Sequence, residues 1–240
     1  MTRAFATLLL AMAPPLHAQQ PPPPPPAREV KAEFAFVATS GNAATQSIGA
    51  AGDVTFRPPD WVVNGKAAFI RNESNDIVSA KSFATLGRVA RILTPRLQGF
   101  GQHAFLRDLF SGIRSRNTVD GGLSYLLVQT ERHALFVDGG LGFLNEQRTL
   151  GSDLSTGLGT AGTRYKLTIS ETSDFTDDLL IAADFAEDGT WRASHAAAVT
   201  ARVATILSLK LSNVIRFVNV PVPGFKQTDT VTSAALVLSF

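Results

Sequence analysis

The sequence predicts an all-β fold, a transmembrane antiparallel up-and-down β-barrel of about 12 strands. From residue 31 onward, apolar residues recur mainly at every second position, which is the period of a strand with one apolar face. The links between these runs alternate in order between tight turns and longer polar loops, a pattern typical of outer-membrane barrels. The chain also begins with a segment typical of exported proteins. A soluble sandwich has no reason to alternate its loop lengths, so the barrel is favoured.

Composition excludes several classes of protein. The chain has 240 residues, no cysteine, and 22 Lys and Arg residues against 20 Asp and Glu residues. Without cysteine there is no disulfide scaffold, thiolate zinc site or lipid-anchored amino-terminal cysteine. The net charge of +2 supplies no basic field of the kind that nucleic-acid-binding proteins carry. The hydrophobic fraction of 45% is too high for general disorder.

The first 30 residues are expected to lie outside the folded domain. Arg3 precedes a largely apolar run of ten residues, 4–13, which is too short to span a bilayer but suits the core of a secretory signal. We expect cleavage after Ala18, which makes residues 1–18 a signal peptide. Residues 19–30 contain six consecutive prolines and predict a stiff periplasmic tether. The barrel domain is then residues 31–240.

Period-two alternation defines each strand. In the last run, for example, Leu236, Leu238 and Phe240 share one face, while Ser233 and Ser239 lie on the other. No later segment approaches the length of apolar sequence that a membrane helix needs. The expected strands, in order, are residues 31–39, 46–57, 61–73, 78–93, 97–108, 115–130, 134–147, 155–170, 173–186, 191–203, 207–218 and 227–240.

The connections set the expected orientation. Outer-membrane barrels place tight turns in the periplasm and longer loops outside the cell. An even number of strands then leaves both termini in the periplasm, which agrees with an amino-terminal tether. The tight turns are expected at residues 57–60, 94–96, 131–132, 171–172 and 204–205, and the longer links at residues 72–77, 109–114, 148–154 and 219–226.

Charged residues fall mostly on the polar face of the strands, which we expect to line the lumen. A Lys or Arg facing mid-bilayer lipid would cost ~2–4 kcal/mol. Three charges take the outward parity, Arg71, Arg91 and Asp177, and are expected near strand ends. His195 and Asn213 also take that parity, towards mid-strand, where a local bulge would explain them. The expected lumen-lining charges are Asp53, Lys66, Arg88, Asp120, Asp138, Arg164, Lys166, Asp178, Asp184, Arg192, Arg202, Lys210, Arg216 and Asp229.

Several segments of the barrel domain match a known family. The most specific is the last strand with its preceding loop, residues 220–240. Shorter matches are Ser40-Gly41-Asn42 with Thr45, residues 107–112 (RDLFSG) and residues 173–179 (SDFTDDL). Over roughly residues 31–240, the chain resembles the domain-of-unknown-function family 481, whose members are labelled salt-induced outer-membrane proteins. The resemblance implies an outer-membrane barrel without an established activity.

The carboxy terminus also resembles a targeting signal. A terminal Phe240 preceded by Leu236 and Leu238 at alternate positions is similar to the signal that the outer-membrane barrel assembly machinery reads. The resemblance therefore implies this machinery and outer-membrane lipid as partners.

Two patterns that suggest chemistry are better explained by structure. Residues 157–162 (GLGTAG) spell a dinucleotide-binding fingerprint, but that motif needs a helix after it, and residues 163–170 continue as an alternating strand. His103, His133 and His195 lie on separate strands or turns, without a second ligand at metal-binding spacing. We expect no cofactor and no metal.

The leading functional hypothesis is a non-enzymatic outer-membrane barrel, either a small passive pore with a charged lumen or an envelope-integrity component. A lumen of this kind would pass ions or small solutes. One alternative is a hydrolase-like enzyme at the barrel rim, which predicts an acid–base pair within hydrogen-bond reach there. Another is an exported β protein that does not enter the membrane.

Overall fold

The computed structural model describes residues 26–39, 45–75, 77–185 and 189–240. The expected signal peptide and most of the expected tether lie outside these residues. The first strand begins at Arg28, so the last residues of the expected tether belong to the barrel. The strands are β1 (Arg28–Thr39), β2 (Thr45–Phe56), β3 (Trp61–Ser74), β4 (Ile77–Ile92), β5 (Leu97–Asp108), β6 (Ile113–Gln129), β7 (His133–Arg148), β8 (Leu154–Ser170), β9 (Ser173–Asp184), β10 (Trp191–Arg202), β11 (Leu207–Val218) and β12 (Thr228–Ser239).

The twelve strands close into one antiparallel barrel in which each strand pairs with its neighbours in sequence and β12 pairs with β1. The predicted fold class and strand number are confirmed. A 3-10 helix, Leu109–Ser111, follows β5. Among the described residues, no helix is long and apolar enough to cross a membrane.

The two ends of the barrel differ in the length of their connections. The links after β2, β4, β6, β8 and β10 are tight turns, and both ends of the described chain lie beside them, where Val30 and Phe240 exchange backbone hydrogen bonds of 3.1 and 2.9 Å. We call this end the turn end and the opposite one the loop end. The loop end carries the 3-10 helix and the long link between β11 and β12.

The outer surface is apolar because strand alternation directs one side chain in two outward. Large apolar residues on this face are strongly exposed, as in Phe34 (59%), Leu141 (68%) and Leu236 (52%). An exposed apolar belt of this extent is typical of a surface that another apolar phase covers.

The inner surface is partly filled by side chains. Leu144, Leu158 and Ala182, which face inward from β7, β8 and β9, are buried against one another, and Leu154 packs beside them. All four lie in the loop-end half of their strands. These apolar side chains therefore fill part of the lumen towards the loop end.

The seam between β1 and β12 is the least extensive pairing in the barrel. Residues 31–34 pair with residues 236–239, whereas every other neighbouring pair of strands is matched over most of its length. Beside the end of this pairing, Lys210 Nζ of β11 lies 2.7 and 2.9 Å from the two carboxylate oxygens of Glu33 on β1. This ion pair links the strands on either side of β12 and reinforces the seam from inside.

Candidate functional site

The strand register places the expected lumen charges on the inner face of the barrel. Asp120 pairs with Gly142, for example, on the parity opposite to exposed Leu141. The same assignment follows, strand by strand, for all fourteen residues from their pairing partners. Arg202 lies at the turn-end rim, where its guanidinium donates to the carbonyl of Glu171 at 2.8 Å.

A cluster of paired charges occupies one wall of the lumen, from β4 to β8. The carboxylate of Asp138 contacts two guanidinium groups. Arg88 lies 3.0 Å from it as an ion pair, and Arg164 donates two hydrogen bonds to it at 3.1 and 3.2 Å. Each guanidinium also lies over an aromatic ring, Arg88 at 3.8 Å from the centroid of Phe100 and Arg164 at 4.8 Å from that of Phe136. Such cation–π contacts hold a guanidinium in place.

Polar side chains complete this cluster. Arg88 donates to Gln102 at 2.9 Å, and Gln102 donates to both oxygens of Asp120 at 3.1 Å. Arg164 donates to the buried hydroxyl of Ser124 at 2.9 Å. Two arginines and two aspartates are thus joined by hydrogen bonds and ion pairs into one set, which we call the central cluster: Arg88, Gln102, Asp120, Ser124, Asp138 and Arg164.

The turn-end half of the lumen is accessible to water. The side chains of Lys66 and Lys166 face inward yet are 48% and 55% exposed. Lys66 lies 3.7 Å from Asp53 on its neighbouring strand, and Asp178 faces inward from β9 on the opposite wall. We call this solvent-accessible part of the lumen, which is lined by charges of both signs, the vestibule.

Towards the loop end the charges are buried. Glu146, whose side chain is 1% exposed, accepts from the guanidinium groups of both Arg116 and Arg148, and each of these side chains is only 16% exposed. Asp184, fully buried, binds Arg192 at 2.8 and 3.0 Å. The sequence prediction did not include Glu146 and Arg116 among the lumen charges. Their positions have the same parity as Asp138 and Asp120, so the alternation along the strands was enough to predict that they face inward.

Two segments contact each other across the loop end of the barrel, and we call them the mouth plug: residues 109–112 and residues 219–227. The Ser111 hydroxyl donates to Asp229 of β12 at 2.8 Å. Val222 is 4% exposed, and a Cβ at Gly112 would lie 2.8 Å from Val222 and from the ring of Phe225. The segment that precedes β12 is therefore packed against the segment that follows β5, across the mouth.

Glycine is required at position 112 for two reasons. Its φ is +78°, a left-handed conformation that strains other residues, and a Cβ there would collide with Val222 and Phe225. The carbonyl of Gly112 accepts from the backbone N–H of Thr149 at 2.9 Å, which fixes the neighbouring loop beside the plug.

Polar residues on the outer wall are paired with one another, which corrects two expectations. His195 and Asn213 lie in regular stretches of β10 and β11, without a bulge. His195 Nε2 lies 2.7 Å from Asp177 Oδ2, and Asn213 donates to Thr232 at 2.8 Å. Asp177 is the fifth residue of the 12-residue strand β9, so it lies inside the strand and not near its end. Arg71 and Arg91 do lie near strand ends.

The structure does not bring a serine and a histidine together within the described part of the chain. His103 contacts Asn117 through a ring nitrogen at 3.2 Å, and His133 contacts the Tyr165 hydroxyl at 2.7 Å. His195 makes the contact with Asp177 on the outer wall that is described above. Within the same residues, no group of three or more His, Asp or Glu side chains could hold a metal ion. The glycine-rich residues 157–162 lie inside β8, as predicted, and no helix follows them.

The residues of the expected assembly signal lie on the outer face beside the seam. Leu236 is 52% exposed and Phe240 is 69% exposed, whereas the alternating Val237 is 3% exposed and faces inward. Leu238 pairs with Ala32 of β1. The last strand thus offers an apolar outer edge at the point where the barrel closes.

Comparison with known proteins agrees with this architecture. Residues 32–240 match the family described as protein of unknown function, DUF481. Over 163 residues the chain is 26% identical to the uncharacterized protein YdiY of Escherichia coli (strain K12), a match that covers 67% of this chain and 63% of YdiY. The match thus spans less than two thirds of that protein's length.

Solved structures with a similar fold are outer-membrane barrels. An outer membrane channel from Pseudomonas putida F1 has a TM-score of 0.50 at 10% identity, over 89% of this chain and 94% of that one. The NanC porin has a TM-score of 0.48 at 10% identity, over 89% and 98% of the two chains. At these identities the likeness concerns the fold alone.

Proposed function

We propose that this chain, which belongs to the DUF481 family of proteins of unknown function, is a narrow passive pore of the outer membrane for ions and small solutes. The turn end faces the periplasm in this proposal, because outer-membrane barrels place their short turns there. Both termini then lie in the periplasm, and the apolar outer belt contacts lipid. Leu236, Leu238 and Phe240 serve as the signal for the barrel assembly machinery.

The observation that carries the proposal is that charged side chains in the vestibule are accessible to solvent. Lys66 and Lys166 face the inside of a closed barrel and are still about half exposed, so water reaches the inner wall. Charges on both walls would attract and orient small ions, as rings of charged side chains do in other channels. A barrel built only as a membrane anchor has no need for such a wet interior.

The loop end determines the size of the pore. Leu144, Leu158 and Ala182 narrow the lumen, and the mouth plug lies above them. We therefore propose that the structure represents a state of low conductance, and that ions pass when the plug is displaced.

Single-channel recording of the refolded barrel in planar bilayers tests this function. We expect small conductance steps. In a salt gradient, we expect the reversal potential of the current to depend on the vestibule lysines. The double variant Lys66→Glu with Lys166→Glu should shift selectivity towards cations, whereas Arg132→Glu, in an exposed turn, should shift it much less. A folded, heat-modifiable barrel without any conductance above the protein-free bilayer would overturn the pore and leave the barrel.

A lipid-facing outer wall makes a separate prediction about the Asp177–His195 pair. Replacing a buried ion pair by apolar residues is often neutral or stabilising by ~1–4 kcal/mol, whereas removing one partner leaves an uncompensated charge. The double variant Asp177→Leu with His195→Leu should therefore raise the urea midpoint of the barrel in lipid vesicles, and His195→Leu alone should lower it.

The control for this prediction is the ion pair of Arg71 with Glu73, at 2.6 Å near the loop-end rim. Because Arg71 is nearly half exposed, the corresponding leucine pair should change the free energy of unfolding by less than ~1 kcal/mol. If the Asp177/His195 double variant is instead less stable than the wild type, the pair does not face lipid.

A further inference from the structure

We propose that the loop end contains a binding site for a small solute that carries an oxyanion group, a carboxylate or a phosphate. The site is a pocket between the mouth plug and the loop-end segments of β5–β7 and β10–β12. The inference deepens the proposed function, because a solute bound here would occupy the outer entrance of the pore.

Positive side chains outnumber negative ones around this pocket. Arg116, Arg148, Arg192, Arg216 and Lys226 line it, against three carboxylates. Guanidinium groups present a planar fork of N–H donors that matches a carboxylate or phosphate. The composition of the lining therefore favours an oxyanion over a neutral or cationic solute.

The carboxylates of the lining are already engaged. Glu146 accepts from two arginines, with one oxygen each, so a single negative charge serves two positive ones. Asp229 accepts from the hydroxyl of Ser111. Asp108 accepts from the backbone N–H groups of Phe110 and Ser111 at 3.1 and 3.2 Å, where it caps the 3-10 helix.

Several guanidinium donors remain available. Arg116 and Arg148 each use Nε for Glu146, which leaves their terminal nitrogens free of that carboxylate. Arg192 uses both terminal nitrogens for Asp184, and its buried Nε has no hydrogen-bond partner. Arg216 forms no ion pair within the described part of the chain. A bound oxyanion would satisfy these donors and balance the surplus charge.

Burial makes the site selective. The side chains of Arg148 and Arg192 are 16% and 11% exposed, so water satisfies little of their hydrogen-bonding capacity. Charge-assisted hydrogen bonds are stronger in such surroundings than at an open surface. A neutral sugar of the same size could not replace this interaction.

Isothermal titration calorimetry of the refolded barrel in detergent tests the site without requiring conduction. The probes are sodium glucuronate and inorganic phosphate, which separate a carboxylate source from a phosphate source, with glucose as the neutral match. We expect at least one oxyanion to bind and glucose not to bind. Arg148→Gln should weaken that binding about tenfold, because it removes charge-assisted hydrogen bonds.

The choice of variants keeps the result interpretable. In Arg148→Gln, Glu146 retains Arg116 as its counter-charge, so the barrel should stay folded, which the heat-modifiable band checks. Arg216→Gln, which breaks no ion pair, should weaken binding in the same way. Arg132→Gln makes the same change of charge in a turn at the opposite end and should leave affinity within about twofold.

Two results would overturn the site. One is binding of neither oxyanion more tightly than glucose, and the other is an equal loss of affinity in Arg132→Gln and Arg148→Gln. Either result leaves the proposed function standing, because the bilayer recording tests conduction of ions through the barrel and does not require a solute to bind in the pocket.

Discussion

Gly112→Ala should displace the mouth plug and raise the single-channel conductance of the barrel. The new methyl group would lie 2.8 Å from Val222 and from the ring of Phe225, closer than carbon atoms approach in proteins, so residues 219–227 must move away. The φ of +78° adds strain of ~1–2 kcal/mol for a non-glycine residue, and overpacking adds ~1–3 kcal/mol. The free energy of unfolding, measured by urea titration, should fall by about the sum of the two.

Gly151→Ala is the matched control. Gly151 has the same φ of +78°, but a Cβ there would lie 3.6 Å from Pro223, an ordinary contact. This variant carries the backbone strain without the collision, so it should lose ~1–2 kcal/mol of stability and keep the conductance of the wild type. Equal conductance in all three proteins would show that the plug does not limit the current.

Glu146→Gln should produce the largest loss of stability. The substitution keeps the shape of the side chain but removes the only carboxylate that Arg116 and Arg148 bind among the residues that the structure describes. Leaving a buried charge without its partner costs about 3–5 kcal/mol, and here two guanidinium groups lose one partner. The measurement is the urea midpoint of the barrel refolded in lipid vesicles, together with the temperature at which the heat-modifiable band disappears.

Glu73→Gln provides the comparison for this loss. Glu73 also binds an arginine, but that arginine is nearly half exposed at the rim, where water screens the charges. The expected change is below ~1 kcal/mol. A loss in Glu146→Gln no larger than that in Glu73→Gln would mean that the loop-end charges are hydrated in the membrane and that the pocket is open to bulk water.

Much of the architecture could be predicted from local pattern. Each strand has to place lipid-compatible side chains on one face and charges on the other, so the alternation of residues such as Leu141 and Gly142 specifies both the strand and its orientation. The order of short and long links then specifies an up-and-down barrel. The loop-end site was harder to predict, because its plug joins Gly112 to residues 219–227, far apart in the chain.

The period of the strands, their number and the parity of the inner charges can be read from the sequence, because these features depend on neighbouring residues along one strand. Which charges form ion pairs depends on how the strands are arranged in the folded barrel. Glu146 serves two arginines from two strands, His195 finds Asp177 on the outer wall, and Lys210 reaches Glu33 across the seam. Such contacts depend on the register between strands and on the closure of the barrel. Closure brings together residues that are far apart in the chain, and no local pattern in the sequence indicates that they will meet.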